Sequence, residues 1–100
     1  MADGLELLEV QYVSPIEEVD PENDNVDVHV QLSDGRCYGF VVATPNNIFQ
    51  CMANEGVDYF FGVPVLFVRL LDEAHIERAI RALLSEEDGK WLRVYGVLQD

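Results

Sequence analysis

The sequence predicts an α+β fold: a two-layer sandwich in which a mainly antiparallel sheet of about five strands carries two helices on one face, in the order βββαβαβ. Three observations predict it. Val26, Val28, Val30 and Leu32 alternate with Asp27, His29 and Gln31, the period of two that marks a strand with one wet face. The tetrad Ser33-Asp34-Gly35-Arg36 joins that run to a second strand-like run over 37–43, which reads as a hairpin. After Asp72, the residues Ile76, Ala79, Ile80, Leu83 and Leu84 recur at the i, i+3, i+4, i+7, i+8 spacing of an amphipathic helix.

The elements follow in chain order. Residues 5–13 end on Leu8, Val10 and Tyr12 alternating with Glu9 and Gln11, and are expected to be a strand. Residues 14–25 hold Pro15, Pro21 and many turn formers, which continue neither helix nor strand, so a loop is expected. The hairpin comes next, with Gly35 supplying a positive φ at little steric cost. Thr44-Pro45 then starts a helix, Thr44 as N-cap and Pro45 in the first position where no N–H donor is needed. Ile48, Phe49, Met52 and Ala53 form its apolar stripe and Gly56 its stop. Residues 57–63 are aromatic-rich and read either as a short edge strand or as an exposed loop. Residues 65–70 are almost wholly apolar, the pattern of a strand covered on both faces, and are expected in the sheet interior. Asp72 caps the second helix, whose wet face carries Glu73, Glu77, Arg78 and Arg81, and 85–89 end it. Residues 90–98 alternate around Arg93 and close the fold as a strand.

Composition bounds what such a chain can do. One hundred residues, 49% of them hydrophobic, suffice for one core and leave no room for a second, so residues 1–100 are read as a single domain. Large multi-step enzymes are excluded on size. The longest uncharged apolar run, 59–68, is ten residues, well short of the roughly 18 or more that span a membrane. The acidic opening Met1-Ala2-Asp3-Gly4-Leu5-Glu6 lacks the basic residues of an export signal, and a cytoplasmic protein is expected. Cys37 and Cys51 lie among apolar neighbours and read as small hydrophobes rather than halves of a disulfide.

Charge is the most informative quantity. The net charge is −13, of which −10 falls in residues 1–35, where no Lys or Arg occurs. Such a field repels phosphate backbones and anionic membranes and attracts basic surfaces, so neither nucleic acid nor membrane is an expected partner and a basic protein is. Solubility alone accounts equally for the acids.

Chemistry-bearing patterns are sparse. Asp20, Glu22 and Asp24 mimic the start of a calcium loop, but Asn25 and Gln31 stand where the loop needs its Gly and its bidentate Glu. His29, His75, Cys37 and Cys51 have no metal-binding spacing, Ser14, Ser33 and Ser85 lie in turns or at a helix end, and the glycines form no phosphate loop. No catalytic residue, cofactor or metal is therefore expected, and the chain is read as a non-enzyme. What remains is surface. Glu17, Glu18, Asp20, Glu22 and Asp24 are the candidate steering residues, and Tyr59, Phe60 and Phe61 the candidate anchor, since consecutive aromatics cannot all face one core. The bland alternative packs two of the three under the first helix. The competing expectation is a small structural or regulatory protein that forms a homodimer through the sheet face bearing His29.

Two stretches, 24–47 and 72–84, carry a resemblance. A ligand-free strand, an Asp-Gly turn, a strand and a Thr-Pro-capped helix, followed by a late amphipathic helix, resemble small acidic bacterial proteins, some of them similar to immunity proteins of polymorphic-toxin systems. The resemblance implies a protein that neutralises a basic toxin or enzyme by surface complementarity, and it carries over no site residue.

Overall fold

The computed structural model describes residues 6–61, 64–86 and 92–99. The observed order is β1 (Leu7–Tyr12), a 3-10 turn (Ile16–Glu18), β2 (Asn25–Leu32), β3 (Cys37–Ala43), α1 (Pro45–Glu55), β4 (Val65–Phe67), α2 (Glu73–Ser85), α3 (Leu92–Tyr95) and β5 (Gly96–Gln99). The α+β architecture with a five-stranded sheet and the two expected helices is present, and the sheet is mixed.

The hairpin is the spine of the fold. β2 and β3 run antiparallel from Asn25↔Ala43 to Gln31↔Cys37 through a turn in which Gly35 takes φ 88°. Arg36 donates from both its backbone and its side chain to Asp34, which closes the turn and holds the Asp34 carboxyl below its ordinary range. The alternation in the sequence becomes a two-faced strand: Val26, Val28, Val30 and Leu32 are buried, while Asp27, His29 and Gln31 are exposed. β1 adds antiparallel on the far side of β2, with an irregularity between Leu7 and Glu9 that leaves Leu8 exposed.

The other edge of β3 is shared. β5 pairs antiparallel with Cys37–Phe40 and β4 pairs parallel with Val41–Ala43, so the two short strands follow one another along a single edge. This corrects the placement of 65–70 in the sheet interior. β4 is three residues long, and Phe67 is half exposed. The apolar run serves two purposes instead: Leu66 packs against the core, and Val68 and Leu71, beyond the strand, are buried in it. Of the expected strand over 90–98, residues 90 and 91 lie outside the described residues, and Leu92–Tyr95 form a helical turn before the chain enters β5.

The core lies between one sheet face and α2. Ile76, Ile80, Leu83 and Leu84 of α2 pack with the inward residues of β2 and with Tyr38, Phe40 and Val42 of β3. α2 begins as expected, with Asp72 accepting the His75 backbone N–H at 2.7 Å. α1 also begins and ends as expected, capped by Thr44 and stopped at Gly56, which takes φ 70°. Its burial is different from that of α2: no residue of α1 is buried. Ile48 and Met52 are half-buried and turn toward the body of the domain, while Phe49 and Ala53 turn outward, so the apolar stripe splits between two faces. The two cysteines are free and half-buried rather than buried. Of the acids expected to end the second helix, Glu86 takes the C-cap and the other two lie outside the described residues.

Candidate interaction surfaces

The acidic loop is built by its own carboxylates. Asp20 accepts the Glu22 N–H at 3.0 Å, and Asp24 accepts the N–H groups of Asp20 (3.2 Å) and Asn25 (2.9 Å). These are local turns of the kind Asp makes when its side chain replaces a backbone acceptor. Asp20 and Asp24 thus spend their oxygens on the loop, while Glu17, Glu18 and Glu22 are exposed. Two long-range bonds fix the loop in the fold: Leu71 N–H donates to Pro21 O at 2.9 Å, and Asn46 Nδ2 to Glu22 O at 3.3 Å. The first holds the loop against the start of α2, the second against the start of α1.

The contact with α2 enlarges the acidic surface. Glu17 of the 3-10 turn and Asp72 and Glu73 of α2 rim a depression of about 360 Å³, whose apolar lining is Ile16, Val19, Pro21 and Leu71. The neighbouring Tyr12 hydroxyl is buried without a hydrogen-bond partner among the described residues, and its pKa is pushed up to about 12, by burial first and then by Glu73, Glu77 and Asp72. Asp72 itself stays charged. Its carboxyl is held below the usual range by the His75 backbone N–H and then by the His75 ring, 2.7 Å away. Sequence reasoning missed Asp72 and Glu73 as members of this surface, because tertiary contacts, among them the bond between Leu71 and Pro21, bring positions about fifty apart together.

Tyr59, Phe60 and Phe61 are all exposed, which overturns the alternative that two of them lie in the core. Tyr59 and Phe61, on one side of an extended segment, stack at 5.9 Å with an interplanar angle of 9°. The segment follows the last turn of α1, to which the Val57 N–H is bonded through Met52 O. Glu22 therefore stands at the first turn of α1 and the aromatic set beyond its last. An 11-residue helix, rising about 1.5 Å per residue, separates them by ~15 Å.

A third feature is the open face of the sheet, where a groove of about 500 Å³ runs over Gly39 between Val13, Val41 and Val97, with His29 and Asp27 beside it. His29 is on this face and His75 is held in its helix cap, so the two histidines serve different elements. Among the described residues, no group of three or more His, Cys, Asp or Glu stands close enough to hold a metal ion. Among the described residues, no helix is long and apolar enough to cross a membrane. Comparison with protein-family models, curated proteins and solved structures finds no match.

Proposed function

We propose that the chain is a binding protein that recognises a basic protein partner through the acidic surface formed by the loop at 16–24 and the first turn of α2, and that it acts by occlusion rather than by chemistry. The observation that carries this reading is the depression rimmed by Glu17, Asp72 and Glu73 over an apolar floor. A lysine or arginine side chain has matching chemistry, an apolar stem with a charged tip. The surrounding field supports it: ten acids and no Lys or Arg in residues 1–35 raise the encounter rate with a positive surface. The resemblance to immunity proteins supplies the partner class, a basic toxin or enzyme in a cytoplasmic setting, since enzymes that grip phosphates are themselves basic.

The test uses the basic protein retained from a source lysate at physiological salt, and reads its association rate with the purified chain. Neutralising Glu17, Glu22 and Glu73 together as Gln is expected to slow association by about tenfold at low salt, with a smaller change in dissociation. Asp20, Asp24 and Asp72 are left in place because they build the loop and the helix cap. An unchanged rate at low salt sinks the reading. A second reading, self-association through the open sheet face, has one observation in its favour, the exposure of Val13 and Val97 at the groove over Gly39.

A further inference from the structure

Half of the exposed large hydrophobic residues among those described fall between positions 49 and 67: Phe49, Tyr59, Phe60, Phe61 and Phe67. In a chain that is 25% charged, residues 37–68 carry only two charges, Glu55 and Asp58. Depletion of charge together with enrichment of aromatics is the compositional mark of an interface core. We propose that two copies of this chain pair through the outward face of α1, antiparallel about a two-fold axis that crosses the helix at the level of position 51.

The outward face of α1 is self-complementary in that arrangement. Pro45, Phe49 and Ala53 are exposed at i, i+4 and i+8, while Asn47, Ile48, Cys51 and Met52 are half-buried on the other side. With the axis near position 51, Phe49 of each copy faces Ala53 of the other, so a large side chain meets a small one twice. Helices that meet through such pairs approach to about 8–10 Å. A two-fold interface requires this reciprocity, because each patch is its own partner.

The two ends of the helix also match. Beyond its C-terminal end stand the exposed aromatic residues 59–61. At its N-terminal end lies an open depression of about 580 Å³ that Phe67 lines with Thr44, Pro45 and Asn46. Antiparallel pairing sets the aromatic set of each copy against the depression of the other. The depression carries Arg69 beside Glu22, so it presents a cation to Asp58 of the second copy, which follows the C-terminal end of α1.

Area and charge favour this surface over the sheet face. Phe49, Tyr59, Phe61 and Phe67, between 50% and 83% exposed, present about 500 Å² together at ~150–250 Å² per ring side chain, and Pro45, Gln50, Ala53 and Asn54 add to it. A stable interface needs about 800 Å² per partner. The sheet face carries Glu9 and Asp27, which a second copy would oppose with the same charges, whereas the outward face of α1 has none.

A size swap tests the pairing. Sedimentation equilibrium of the full chain is expected to give a mass near twice 11.3 kDa. Phe49→Ala leaves small facing small and Ala53→Phe leaves large facing large, and each is expected to raise the dimer dissociation constant by at least about tenfold. Mixing the two variants restores one large-to-small contact on each side, so a heterodimer of near wild-type affinity is expected. Far-UV spectra confirm that each variant is folded. A wild-type chain that stays monomeric at high concentration overturns the proposal. So does a dimer that neither substitution weakens, which would move the interface to the sheet, and so does a mixture that fails to recover.

Discussion

At the scale of single residues, Tyr12 and Asp72 make opposite demands on pH. The Tyr12 hydroxyl is buried with no partner among the described residues, an arrangement in which a polar group costs stability and returns none. Removing it as Tyr12→Phe is expected to leave stability unchanged or raise it by up to about 1 kcal/mol, read from the urea midpoint. The pH dependence adds a sign. Because the folded pKa is raised from 10 to about 12, the unfolded chain loses this proton first, so stability falls as pH rises from 10 toward 12. The Tyr12→Phe variant is expected to fall less steeply over that window; identical slopes would show that the phenol is not held neutral. Asp72 works at the other end. Its pKa is depressed, so its contribution is present above the unfolded value and lost as pH falls below about 3.8. Asp72→Ala is expected to lower Tm by several degrees at pH 7 through loss of the cap, and the difference from wild type should close in acid. This cap was legible in the sequence, since an Asp before an amphipathic run has a single local explanation. The orphaned hydroxyl was not, because it depends on α2 lying over β1.

At the scale of elements, the two helices look alike in sequence and differ in what they do. Both have a cap, an apolar stripe and a stop, and both form where those signals place them. Only α2 buries side chains. Ile80→Ala is therefore expected to cost about 2–5 kcal/mol of unfolding free energy, the range for emptying a closed core position. Phe49→Ala, measured in solution dilute enough to keep the chain monomeric, is expected to change it by no more than about 0.5 kcal/mol. A loss of several kcal/mol at Phe49 would mean that α1 packs on the core after all. The period of an apolar stripe shows that a helix has a sticky side, and it does not show what the side sticks to. The same limit explains β4. A continuous apolar run was read as a central strand, but its residues are divided between a three-residue edge strand and a loop that plugs the core. Hairpin pairing, set by a local turn, was readable; the sharing of one edge of β3 by β4 and β5 was not, because each pairing spans a connection whose path the pattern leaves open.

At the scale of the whole molecule, the charge map separates the two contacts. The acids of the depression gather where the loop at 16–24 meets α2, and the aromatic residues 59–61 lie beyond the far end of α1, with Glu22 at the first turn of that helix bordering both surfaces. Salt must therefore act on the two associations with opposite sign. Two copies at −13 repel through every part of their surface except the one that touches, so screening favours the homodimer. The encounter with a basic partner is driven by that same field, so screening slows it. Raising ionic strength from about 0.05 to about 0.5 M takes the screening length from ~14 Å to ~4 Å. Over that range the homodimer dissociation constant is expected to fall severalfold, while the association rate with the basic partner falls by about tenfold or more. The substitutions divide the same way. Gln at Glu17, Glu22 and Glu73 should slow the partner and, by removing repulsion, tighten the homodimer slightly; Phe49→Ala should loosen the homodimer and leave the partner's rate alone. If Phe49→Ala instead weakens the partner as strongly as the homodimer, both associations use α1, and the acidic depression only guides the partner there.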